Sequence, residues 1–190
     1  IRKSYEKIML DINQGWDFKS ANSYINKINK YPIFWIEEPI SARSSEKDYF
    51  NLIKDSKINL ALGENVYNEN LINIFLKNKY LKFFQPDITK YGGISLVHKY
   101  LNSKYRNKIY LHFLGSGVGL ITSAHIMSAI NSNGLLETDF NENPLRDKIF
   151  NETIKIKNGK IYLNNKPGLG FTLNKKIIKK YIANKFTLKT

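Results

Sequence analysis

No cysteine occurs anywhere in the chain, which excludes a disulfide framework and thiolate ligation of a metal and fits a reducing compartment, so a cytoplasmic protein is expected. No apolar run approaches the roughly 20 residues that a membrane-spanning helix needs, and no membrane partner is expected. Acidic residues are scarce, 16 against 30 lysines and arginines, leaving a net charge of +14. Such a charge raises nucleic acid as a partner, because clustered cations release counterions from phosphates. Arginine, the better reader of bases, appears only four times, and residues 151–190 hold ten lysines against one acid, Glu152. That distribution reads as solvated surface and compositional bias, so no nucleic-acid partner is expected, although a positive field can draw in small anions.

What the chain does contain is a repeat. Short apolar runs each end in a polar group: KIMLD at Asp11, FWIE at Glu37, NLALGE at Glu64, KFFQPD at Asp87, KIYLH at His112 and GLLE at Glu137. The gaps are 26, 27, 23, 25 and 25 residues, which suits one strand, one helix and two loops, the βα unit of a parallel sheet. Helical spacing fills the intervals, as in Phe18, Ala21, Tyr24, Ile25 and Ile28, or Leu120, Ile121, Ala124, Met127 and Ile130. Strands without polar alternation imply a sheet covered on both faces, either a doubly wound sheet or a (β/α)8 barrel. The barrel accounts for more, since it brings all C-terminal strand ends to one mouth.

Six units are countable where a complete barrel has eight, so the expected fold is an α/β, TIM-type barrel lacking its first two strands, which would precede Ile1. Residues 1–150 would form the partial barrel. Residues 151–190 would add a hairpin turning at Asn158-Gly159 and a lysine-rich helix near residues 174–182, packed on the barrel or on a further domain.

Three consecutive strands end in Asp11, Glu37 and Glu64. Any one of these carboxylates alone would be explained by hydrogen bonds from loop amides or by a lysine partner. Three at matching positions repel one another unless a cation joins them, and an all-oxygen set selects a hard ion, Mg²⁺ ahead of Ca²⁺. Glu38 should point away from Glu37 and serve a supporting contact or a loop salt bridge, whereas Asn13 returns to the face of Asp11 and can touch a ligand. The next two strands offer Asp87 and His112, a carboxylate against an imidazole, which makes a general base. Glu137 would act as a second acid or as a hydrogen-bond partner of the substrate. His98 and His125 lie within helical patterns and read as structural.

Together LDINQGW, WIEEP, LGEN, QPDITKYGG, LHF and LLETD resemble the successive barrel-strand motifs of the enolase superfamily, in its mandelate racemase subgroup. The likeness runs from about residue 8 to residue 171 and takes in ENPLRD and KPGLGF. The resemblance implies that Asp11, Glu37 and Glu64 bind Mg²⁺, that His112 and Asp87 form the base dyad, and that Glu137 contacts the substrate carboxylate or its enediolate oxygen. Related lactonizing enzymes carry a catalytic lysine where Asp87 stands, while Lys90 matches a non-catalytic lysine before the double glycine. The second acid-base group of the subgroup, often in a Lys-x-Lys motif, and the amino-terminal capping domain would both lie before Ile1. The function this implies is Mg²⁺-dependent removal of the proton alpha to a carboxylate, with dehydration of an acid sugar to a 2-keto acid as the first expectation. The polar loop HFLGSGVG suits a polyhydroxylated substrate. Racemisation or epimerisation of a 2-hydroxy acid is the alternative, and an inactive fragment or binding scaffold is a third. Relatives of this kind often assemble symmetrically, so the full-length protein is expected to be a homo-oligomer.

Overall fold

The computed structural model describes residues 7–95, 104–130 and 134–184. Four parallel strands, β1 (Ile8–Asp11), β2 (Ile33–Glu37), β3 (Leu60–Leu62) and β4 (Phe83–Phe84), pair in chain order. The register sets Asp11 beside Glu37 and Glu37 beside Ala61. Two further extended segments continue the series. Ile109 bridges Phe84 in parallel, with the Tyr110 N–H donating to the Phe84 carbonyl at 2.8 Å, and the Glu137 N–H reaches the Leu111 carbonyl at 3.3 Å. All six polar strand ends therefore face the same way, as the 25-residue repeat predicts.

Helices return the chain between strands: α1 (Phe18–Ile28), α2 (Glu46–Asp55), α3 (Glu69–Lys77) and α4 (Gly117–Ile130). Their starts follow from the sequence, because Asp17, Ser45 and Asn68 each accept hydrogen bonds from first-turn amides, as N-caps do. The helices α1 to α3 turn one apolar face inward. In α4 the buried residues go round the helix, from Leu120 and Ile121 to Ser123, Ala124, Ile126 and Met127, as a helix enclosed on several sides requires.

The main core lies between sheet and helices, where Ile36, Leu52, Leu62, Phe75 and Phe84 are fully buried. Each such side chain contributes about 1.5–3 kcal/mol on leaving water. The other face of the sheet holds a second cluster in which Trp35, Ala61 and Phe83 pack with Phe34 and Tyr110. Trp35 and Tyr110 stand two residues before Glu37 and His112, so the period-2 alternation of the strands places this aromatic layer directly beneath the polar one.

After Glu137 the chain forms α5 (Pro144–Asp147), a hairpin of β5 (Lys155–Lys157) and β6 (Lys160–Tyr162), and α6 (Lys175–Tyr181). Asn158 and Gly159 both have positive φ, 52° and 69°, the geometry of a type I′ turn. Phe150 bridges Leu173, its ring lies 5.0 Å from that of Phe171, and His125 on α4 contacts the Leu169 carbonyl at 3.2 Å. His125 thus has the structural part expected of it, and His98 lies outside the described residues. Among the described residues no helix is long and apolar enough to cross a membrane.

Candidate active site

His112 is 4% exposed and Asp87 1% exposed, and the imidazole Nδ1 stands 2.8 Å from Asp87 Oδ2. The other carboxylate oxygen of Asp87 accepts from the Thr89 N–H at 2.7 Å and from the Thr89 hydroxyl at 2.6 Å. Asp87 is thereby held on both oxygens and fixes the imidazole tautomer, leaving Nε2 to face the site. Nε2 lies 3.4 Å from Glu64 Oε1 and 3.8 Å from Glu137 Oε2. Burial raises the Asp87 carboxyl, but the hydrogen bonds from His112 and Thr89 outweigh it and hold the group below the ordinary range. Burial disfavours protonation of His112, and the Asp87 bond together with the fields of Glu137 and Glu64 overcomes this and raises it.

Of the three carboxylates read as metal ligands, Asp11 and Glu37 sit side by side on β1 and β2. Burial pushes the Glu37 carboxyl up to about 7, with Glu137 and Asp11 adding to the effect and a Gln85 hydrogen bond and His112 opposing it. Glu137 is raised as well, by burial and by the charges of Glu64 and Asp11, against the pull of His112. Glu37 and Glu137 thus feel, beyond their burial, the charge of the neighbouring carboxylates, which His112 offsets only in part.

Glu64 is engaged differently. Its Oε1 pairs with Lys90 Nζ, so the lysine that the sequence marked as non-catalytic serves as counter-ion to a candidate ligand. Among the described residues no three His, Cys, Asp or Glu side chains are gathered in a ready metal cage. Asn13 faces Asp11, as its spacing suggested, but donates both its backbone N–H and its Nδ2 to the two Asp11 oxygens, at 2.8 and 3.3 Å. It orients Asp11. Glu38 accepts from the backbone and side-chain amides of Asn65.

One residue of this site escaped the sequence reading. Gln85, 3% exposed, works against the rise of the Glu37 carboxyl and leaves its own Oε1 without a partner. The signal was present: two residues before Asp87 it occupies the position that carries Trp35 and Tyr110 on other strands. Gln85 lines a cavity of about 320 Å³ with Asp11, Glu37 and Glu137 over Trp35 and Tyr110. An all-oxygen donor set, a Glu37 carboxyl raised by burial and further by its acidic neighbours, and an orphaned buried amide oxygen fit a hard divalent cation.

Similarity to known proteins follows the same lines. Arabinonate dehydratase of Saccharolobus solfataricus is 30% identical over 181 residues, covering 92% of this chain and 47% of that protein. L-talarate/galactarate dehydratase of Salmonella typhimurium is 27% identical over 175 residues, 88% of this chain and 40% of that protein. A solved structure described as mandelate racemase/muconate lactonizing enzyme from Bordetella bronchiseptica RB50 has a TM-score of 0.82 at 30% identity, covering 93% of this chain and 50% of that one. The chain spans about half the length of the relatives it matches or less. With residues 1–177 matching the enolase C-terminal domain-like family, and six strand ends turned to one mouth, the chain belongs to that family.

Proposed function

We propose that the full protein is a Mg²⁺-dependent hydro-lyase that removes the proton on carbon 2 of an acid sugar, expels the 3-hydroxyl as water and yields a 2-keto acid. The observation that carries this reading is the His112–Asp87 pair at 2.8 Å, which aims one basic nitrogen at a cluster of carboxylates. Dehydratases of arabinonate and of talarate or galactarate among the relatives support the substrate class.

Asp11, Glu37 and Glu64 would hold the cation, which when bound supplies positive charge to the substrate carboxylate and makes its alpha proton removable. His112 Nε2 takes that proton while its Nδ1–H remains on Asp87. The imidazolium so formed then protonates the 3-hydroxyl as it leaves. Glu137, with its raised carboxyl, hydrogen-bonds a substrate carboxyl oxygen. The resulting enol ketonises and gains a solvent proton at carbon 3.

The test is to incubate the protein with five- and six-carbon acid sugars and Mg²⁺ in D₂O and follow the products by NMR. A 3-deoxy-2-keto acid carrying deuterium at carbon 3 is expected. A stereoisomer deuterated at carbon 2 would mean an epimerase, the reading suggested by likeness to the Bordetella structure. No reaction at carbon 2 across the panel would leave a binding scaffold.

A pH signature accompanies the cation site. Because the Glu37 carboxyl rises from 4.5 to about 7, the folded chain keeps a proton that the unfolded chain loses. Metal-free stability should therefore fall as pH rises between those values, by roughly 3 kcal/mol in total. Saturating Mg²⁺ replaces that proton and should flatten the slope. Denaturant midpoints measured across pH with Mg²⁺ and with EDTA check this, and identical slopes would remove the assignment.

A further inference from the structure

Glu38 is 4% exposed and takes no part in the chemistry above. Its backbone is left-handed, φ 38°, without being glycine. It is bonded on every side. Its N–H donates to the Ala61 carbonyl on β3 at 3.1 Å, and its carbonyl accepts from the Gln14 N–H at 2.7 Å, just past the end of β1. Its carboxylate accepts from the Asn65 N–H at 3.2 Å and from Asn65 Nδ2 at 2.7 Å. Glu38 follows Glu37, Asn65 follows Glu64, and Gln14 lies three residues beyond Asp11. One side chain and its backbone thus join the three strand ends that carry the candidate ligands.

The partners are themselves held. Gln14 Oε1 accepts from the Ala42 N–H at 2.7 Å. Asn13 and Gln14 have φ of 49° and 62°, so three left-handed residues other than glycine meet in these loops. Such strain persists only where surrounding contacts over-determine it, and it collects at functional sites. A neutral acceptor at position 38 would satisfy one of the two Asn65 donors and turn its own amide hydrogens on the other.

We propose that Glu38 is a positioning residue, which through Asn65 and Gln14 locks the ends of β1, β2 and β3 together so that Asp11, Glu37 and Glu64 are presented to a divalent cation as one set. The inference rests on the cation reading above. Residues that orient a ligand from behind typically govern metal affinity by 10–100-fold without touching the ion.

The experiment titrates Mg²⁺ alone into the full protein by calorimetry, for wild type, Glu38→Gln, Asn65→Ala and the double variant Glu38→Gln with Asn65→Asp, with thermal unfolding in EDTA alongside. Each single substitution is expected to weaken Mg²⁺ by about tenfold or more, while the double variant, in which the new amide donates to the new carboxylate, recovers to within about threefold of wild type. Loss of thermal stability with Mg²⁺ affinity unchanged in the single variants overturns the proposal and leaves the cation site standing. Weakened binding without recovery in the double variant also overturns it, because charge at position 38 would then matter and the linkage would not. Failure of the wild type to bind Mg²⁺ would instead defeat the cation reading. Should Glu38→Gln not fold, Asn65→Ala decides, since it alters a half-buried loop side chain.

Discussion

Replacing His112 by Asn is expected to slow exchange of the substrate's carbon-2 proton with D₂O by roughly 10³-fold. The imidazole turns a basic nitrogen, Nε2, toward the carboxylates of Glu64 and Glu137, its Nδ1 being committed to Asp87. Asn at this position keeps a polar group near Asp87 and removes the base. Loss of the carbon-2 signal in proton NMR gives the rate, and Mg²⁺ titration shows that the site still assembles. Exchange within about tenfold of wild type would place the base elsewhere. Asp87→Asn makes the comparison sharper, because Asp87 acts through His112 and raises its affinity for a proton. That variant should move the acid limb of the pH–rate profile downward as well as lower the rate, whereas His112→Asn should erase the limb.

The second large effect is on stability. Gly63→Ala should lower the unfolding free energy by about 3 kcal/mol, combining left-handed strain with overpacking. Gly63 has φ 144°, and a Cβ there would lie 2.8 Å from both the backbone N and C of Gln85. Backbone on a neighbouring strand cannot swing aside as a side chain end does. A fall in Tm of about 6–12 °C is expected for a chain of this size. Gly159→Ala supplies the contrast: φ is 69° at the hairpin turn, but nothing lies within 4 Å of the added atom, and the cost should be nearer 1 kcal/mol. Equal costs at the two positions would mean that crowding between β3 and β4 is not what Gly63 relieves. The crowding also has a functional side, since Gly63 separates the strand from Glu64 while Gln85 lines the same cavity as Glu37.

The repeat of strand ends was legible because a parallel strand covered on both faces is a nearly unbroken apolar run, so the residue that ends it stands out. Asp11, Glu37, Glu64, Asp87, His112 and Glu137 could all be picked on that ground, and the dyad distance followed from adjacency of strands. Pairing was harder to foresee. The segments at KIYLH and GLLE lie in sequence with β4 but make too few ladder bonds to count as strands. Contacts between loops were hidden for a different reason. Lys90 meets Glu64 across 26 residues, and Glu38 meets Asn65 across 27, through backbone turns that neither period 2 nor period 3.6 encodes. Strand alternation stops at Glu37, and whether a lysine or an amide awaited Glu38 depended on left-handed torsions that are rare outside glycine. Gln85 was overlooked because a polar residue inside a barrel is read as an exception until its carboxylate partner is known.

Trp35 gives the molecule a built-in optical probe. Its indole is 5% exposed, is packed against Phe83 with ring centroids 4.9 Å apart, and has an Nε1 with no acceptor. It stands one layer below Glu37 in the cavity that the carboxylates share. An emitter in so dry a setting fluoresces toward the blue and responds to the local field, so a doubly charged ion bound among those carboxylates is expected to shift its spectrum. Trp16 is the other tryptophan of this sequence, and in a Trp16→Phe background of this chain the Trp35 signal would follow occupancy of the site without substrate or turnover.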